Sequence, residues 1–132
     1  MDKGPYREGH TLCHSIGREM RFDEKTLDIL RLGGLLYDIG KIGTYDIILD
    51  KPGELTSEES ELVYQHPSKG AEILERIKQL KNIVPLVRHH HERIDGTGYP
   101  DGLKGEEILL LVRILCVADV YDSMIADRPY RK

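Results

Sequence analysis

Between residues 92 and 105 the chain carries four glycines and one proline without helical or strand periodicity, so any fold it adopts must break there into a loop. The break follows His89-His90-His91 directly and precedes an apolar run over residues 106–124 that has helical spacing. Metal-capable imidazoles therefore fall where one helix is expected to end and a glycine-rich loop to begin. Few structural needs produce that order.

The remaining segments also read as helices. Over residues 18–36, Met20, Leu27, Leu30, Leu35 and Leu36 recur at helical spacings between charges, predicting a helix that ends buried at Asp38. Gly33-Gly34 costs about 1 kcal/mol per glycine inside a helix, which implies close packing of a neighbouring helix. Thr56-Ser57-Glu58-Glu59 offers a cap followed by acidic residues, opening a helix that carries Tyr64 and His66 up to Pro67. Further helices are expected over residues 68–77 and 82–91. Around Asp119 and Asp122, the apolar Ile114, Leu115, Val117, Ala118 and Val120 predict burial of the last helix. Strand signals are weak throughout, and neither a repeat nor a linker is evident. The expectation is a single all-α domain over residues 1–132.

Composition narrows the function. With 19 basic against 23 acidic residues the chain lacks the basic stripe that a nucleic-acid polymer would need. Cys13 and Cys116 form no CxxC pair and no secreted disulfide framework, so they read as reduced thiols in a cytoplasmic domain. No stretch has the length of a transmembrane helix or the apolar centre of a signal peptide, and membrane insertion is not expected.

The chemistry-bearing residues are scattered histidines and aspartates: Tyr37-Asp38-Ile39-Gly40-Lys41, His66-Pro67, His90-His91 and Asp119-Val120-Tyr121-Asp122. Such groups bind borderline divalent or trivalent ions without cysteine. Adjacent residues at a helix end point roughly 100° apart, which favours His90 and His91 serving two neighbouring ions over chelating one. Asp38 and Lys41 share a helix face, so a carboxylate can hold a metal while the ammonium meets a phosphate. Each feature alone has a plainer reading. His66 could be a polar helix terminus, the histidine run a solvated patch, Lys41 a helix cap, and Gly98-Tyr99-Pro100 an ordinary turn.

Taken in order, Gly9-His10-Thr11, Tyr37-Asp38, His66-Pro67, His90-His91, Gly98-Tyr99-Pro100 and Asp119 resemble the HD-GYP domain, a family of cyclic di-GMP phosphodiesterases. The resemblance runs from about Gly9 to Arg131. It implies an all-α helical bundle of the HD type and hydrolysis of cyclic di-GMP to pGpG and onward to GMP. It implies His10, Asp38, His66, His90, His91 and Asp119 as metal ligands, with Asp38 as the bridge and Lys41 as catalytic helper. Asp122 would orient a ligand histidine, and Lys69, Gly98, Tyr99, Pro100, Arg128 and Arg131 would contact substrate. Two divalent or trivalent ions are implied, Fe or Mn before Zn or Ni, together with a regulatory or cyclase domain at the GYP loop and room for a dimer.

Three departures qualify these expectations. Tyr37 stands where the family has the histidine of its HD pair, which lowers the expected metal occupancy. His10 lies nearer Asp38 than in the family pattern, and His14, sharing its helix face, is the reserve ligand. The family also continues with helices past the point of Lys132, so the bundle is expected to be incomplete at that end, with apolar surface exposed. The alternative to the enzyme is a catalytically degenerate module that binds cyclic di-GMP or a partner protein without turnover.

Overall fold

The computed structural model describes residues 9–41, 48 and 52–125, with side chains from residue 12 onward. Six α-helices make up the described fold: α1 Gly9–Glu19, α2 Glu24–Leu36, α3 Ser57–Tyr64, α4 His66–Glu75, α5 Val84–His89 and α6 Leu110–Ile125. Short 3-10 turns at Ile39–Lys41, Lys78–Ile83 and Gly105–Glu107 join them. Among the described residues no strand occurs, only an isolated bridge between Asp95 and Lys104. The protein is an all-α bundle.

Local sequence accounts for the starts of three helices. Thr56 caps α3 through a reciprocal box, its hydroxyl accepting from the Glu59 N–H at 3.1 Å while Glu59 Oε1 accepts from the Thr56 N–H at 2.8 Å. Asp23 caps α2 by accepting from the Thr26 N–H at 2.9 Å. That cap divides the helix expected over residues 18–36. The chain turns between α1 and α2 with Arg21 at φ 63°, and Met20 and Leu35 end up exposed. Pro67 does not end the preceding helix but lies in the first turn of α4, where its missing N–H costs nothing. His66 thereby opens α4 instead of closing α3.

One core cluster joins Cys13 of α1, Leu30 of α2, Leu86 of α5 and Ile108, Val112, Ile114, Leu115 and Ala118 at and within α6. A second, formed by Leu74, Ile83 and Val87, packs against Leu32, Leu36 and Ile39. Gly33 lets α2 and α5 approach closely, because a Cβ there would fall on Leu86 Cδ2. Two residues expected to be buried are not: Val117 and Val120 are 60% and 54% exposed. With Tyr121 and Met124 they form an outward apolar stripe on α6, while Val112, Leu115 and Ala118 face the core. No helix among the described residues is long and apolar enough to cross a membrane.

Candidate metal centre

Helix α4 brings His66 to the site at its first residue, and the end of α5 brings His90 and His91. Their ligand nitrogens lie within 4.8 Å of one another. Helix α5 ends at His89, so His90 and His91 occupy the turn beyond it and their rings stand 4.3 Å apart. His90 keeps a helical backbone, at φ −69° and ψ −12°, and both side chains nevertheless reach the same cluster. The three imidazoles form one group.

Backbone carbonyls set the orientation of two of these rings. His66 Nδ1 donates to the Val63 carbonyl at 2.8 Å and His90 Nδ1 to the Val87 carbonyl at 2.7 Å. A carbonyl can only accept, so each Nδ1 carries a proton and each ring is left with Nε2 to bind a metal ion or a further proton. Those Nε2 atoms face each other across 3.2 Å, with Asp38 Oδ1 at 3.4 Å and 3.5 Å from them. Three such atoms converging on one point need a positive partner among them, either a proton shared between Nε2 and the carboxylate or a metal ion in its place. His66 is 2% exposed and His90 3%, so water screens little of this. The donor set fits a borderline metal ion.

Electrostatics agree with that fit. Partial burial of Asp38 works against its charge, but the His66 and His90 rings and the Lys41 ammonium hold its carboxyl well below the usual range. Burial, reinforced by His90 and His66, pushes His91 down to about 3, keeping it neutral and able to ligate. Lys41 Nζ lies 3.3 Å from Asp38 Oδ2. Gly40 allows the Asp38–Lys41 turn to seat on α4, since a Cβ there would strike the His66 carbonyl oxygen.

Asp119 is separated from the histidines by Tyr37. The Tyr37 hydroxyl donates to Asp119 Oδ1 at 2.6 Å, and its ring stands edge-on to His90 at 4.9 Å. Burial and the adjacent Asp119 carboxylate drive the phenol far above its ordinary range, so it stays protonated. Asp122, 4% exposed, lies one turn along α6. His14 is half-buried on α1 and outside the three-histidine group, and Lys69 is exposed on α4. The His10 side chain, Arg128 and Arg131 lie outside the described residues.

The GYP loop returns onto the site. Tyr99 stacks on His91 with centroids 5.0 Å apart and ring planes 14° from parallel, and its other neighbour is Tyr64 of α3 at 4.8 Å. Gly98 has no room for a Cβ, which would meet the His91 carbonyl oxygen. Pro100 follows through a cis peptide.

Sequence reasoning passed over Glu92. It is 4% exposed, and its carboxylate accepts from the Asp101 N–H at 2.7 Å and the Leu103 N–H at 2.8 Å, fastening the loop. The only local signal was an acidic residue between a histidine run and a glycine-rich loop. Asp101 in turn holds Arg88 through two 2.9 Å bonds and His89 Nε2 at 2.8 Å. His89, Glu92 and Asp101 also cluster, but these bonds already occupy their oxygens, and the cluster reads as a loop clamp.

Comparison with known proteins adds a family. Residues 4–132 match the model of the HD domain. Over 135 residues the chain is 47% identical to cyclic di-GMP phosphodiesterase PA4108 of Pseudomonas aeruginosa, covering 99% of this chain and 33% of that protein. It is 40% identical over 134 residues to 3'3'-cGAMP-specific phosphodiesterase 3 of Vibrio cholerae, covering 98% and 29%. Among solved structures, Bd1817, a HDG"Y"P protein from Bdellovibrio bacteriovorus, matches with a TM-score of 0.70 at 25% identity, over 95% of this chain and 42% of that one. The chain spans about a third of the length of these curated relatives.

Proposed function

We propose that this chain, which belongs to the HD domain family, is the catalytic domain of a metal-dependent phosphodiesterase that hydrolyses cyclic di-GMP to pGpG. The observation that carries the proposal is the oriented donor set. His66 and His90 direct Nε2 to one point, beside Asp38 Oδ1 and the neutral His91. The relatives named as phosphodiesterases of cyclic dinucleotides support the substrate class.

A bound divalent ion at these residues would polarise a phosphoryl oxygen and supply a water nucleophile at neutral pH. Asp38 would help hold the ion, and its Oδ2 keeps the Lys41 ammonium nearby, where it can meet a charged phosphate oxygen. Lys41 is partly exposed, as a residue meeting substrate must be. Gly98, Tyr99 and Pro100 carry the substrate-facing loop, with Lys69, Arg128 and Arg131 as further phosphate contacts. Of the two ions expected, Fe or Mn first, His66, His90, His91 and Asp38 would hold one. The second depends on Asp119 and His10.

One observation favours the second reading, a module that binds without turnover: the Tyr37 hydroxyl engages the carboxylate that a second ion would use. Metal analysis coupled to a hydrolysis assay decides between them. The chain loaded with Mn²⁺ or Fe²⁺ should hold at least one ion and yield linear product from cyclic di-GMP, and His90→Ala should abolish both. Stoichiometric metal with nucleotide binding but no product would establish the binding module instead.

A further inference from the structure

Helix α3 buries none of its residues, yet it ends in an aromatic side chain. Tyr64 is 52% exposed and contributes to neither core cluster, so packing does not explain it. Its ring lies 4.8 Å from that of Tyr99 at a tilt of 58°, and Tyr99 is itself stacked on His91. Three rings thus form a continuous series from the candidate metal centre to the surface. The two tyrosines border a groove of about 550 Å³ lined by Glu61, Tyr64, Gln65 and Ser68 on the helical side and by Thr97 to Pro100 on the loop side.

A groove with an aromatic ring on each side, Tyr64 and Tyr99, and with the carboxylate, amide and hydroxyl groups of Glu61, Gln65 and Ser68 beside Tyr64 suits a flat heterocycle with polar edges. We infer that this groove is a nucleobase subsite in which Tyr64 supplies the stacking surface and Glu61 reads the edge of the base. The assignment rests on the phosphodiester-hydrolase reading for its location beside the phosphate, but not for its chemistry. Guanine presents two adjacent N–H donors, at N1 and the 2-amino group, and a carboxylate accepts both. Adenine has neither, and offers its single exocyclic amine next to an acceptor nitrogen that a carboxylate repels. Glu61 therefore selects guanine, and the Gln65 amide supplies either donor or acceptor. The same preference separates cyclic di-GMP from a dinucleotide with one adenine.

Two measurements on the whole chain test this. In the first, GMP and AMP are titrated into the protein without added metal, so hydrolysis plays no part. GMP should bind more tightly than AMP. Tyr64→Ala should weaken GMP about tenfold, the loss expected of one base–aromatic stack, and Tyr64→Phe should restore it to within about twofold. Glu61→Gln should bring GMP and AMP close to parity. In the second, cyclic di-GMP hydrolysis by the metal-loaded chain should show Tyr64→Ala raising KM more than it lowers kcat. If GMP binding depends on Tyr64 while no hydrolysis occurs, the subsite stands and the enzymatic reading falls. If hydrolysis proceeds with KM and GMP affinity unchanged in Tyr64→Ala, the subsite is overturned while the phosphodiesterase stands. Equal affinity of the unaltered chain for GMP and AMP would overturn the role of Glu61.

Discussion

The Tyr37 hydroxyl donates to Asp119 Oδ1 across 2.6 Å, linking the end of α2 to α6 at the edge of the three-histidine group. This bond occupies one Asp119 carboxylate oxygen and places a protonated phenol where an imidazole would offer a lone pair. Replacing Tyr37 with histidine should raise the metal held per chain and, with it, hydrolysis of cyclic di-GMP. Tyr37→Phe removes the bond without adding a ligand, so it frees Asp119 but should gain less. Elemental analysis and product formation on the same samples check this. Equal metal content and equal rate in all three proteins would show that Tyr37 does not limit the site.

Gly40 places the Asp38–Lys41 turn against α4, where a Cβ would strike the His66 carbonyl oxygen and come within 2.7 Å of Gly70 N. Backbone atoms cannot move aside as a flexible side chain can. Gly40→Ala should therefore separate Asp38 from His66, cost about 1–3 kcal/mol in stability, and lower metal affinity together with it. Thermal unfolding with and without Mn²⁺ reads both effects. A melting temperature and metal-induced shift equal to those of the parent chain would show that the contact is not tight.

How far the sequence anticipated this arrangement depended on whether the deciding contact was local. Thr56 and Glu59 lie three residues apart and form the expected capping box, because each satisfies the other's backbone N–H within a single turn. Asp23 caps α2 by the same chemistry, but the apolar spacing across residues 18–36 masked the break. His90 and His91 read as the end of a helix, and α5 stops at His89 with both rings drawn into one cluster. His90 is still helical in backbone, so the side chains make the convergence, and no local pattern specifies that. Val117 and Val120 showed a different limit: an apolar residue signals a helix but not which of its faces meets the core. Glu92 and Tyr64 owe their roles to a loop that returns from several residues downstream, and no local pattern encodes that return.

Glu92 gives the loop its anchor. Its carboxylate is the acceptor for two backbone N–H groups, of Asp101 and Leu103, in a buried setting. Glu92→Ala strands both donors and should destabilise the chain by about 1–3 kcal/mol. Glu92→Gln keeps one acceptor oxygen and should cost less. Hydrogen exchange at residues 101 and 103 should accelerate in Glu92→Ala before any global unfolding, because the loss is local to the loop. Exchange there that remains as slow as in the parent would show that other contacts hold the loop.

Gly33 and Leu86 set how closely α2 approaches α5, and hence how far Asp38 at the end of one lies from His90 at the end of the other. A Cβ on Gly33 would overlap Leu86 Cδ2, so Gly33→Ala adds strain that outweighs the roughly 1 kcal/mol alanine gains in a helix interior. Leu86→Ala empties a side chain that is 2% exposed and should cost about 2–5 kcal/mol. In the double variant the new methyl occupies part of the vacated space and keeps its helical advantage. Its loss should therefore be smaller than the sum of the two single losses, by about 1 kcal/mol or more. Urea unfolding of the four proteins measures this coupling directly. Strict additivity would show that the two helices do not meet through this pair, and that the spacing of Asp38 and His90 is set by other contacts.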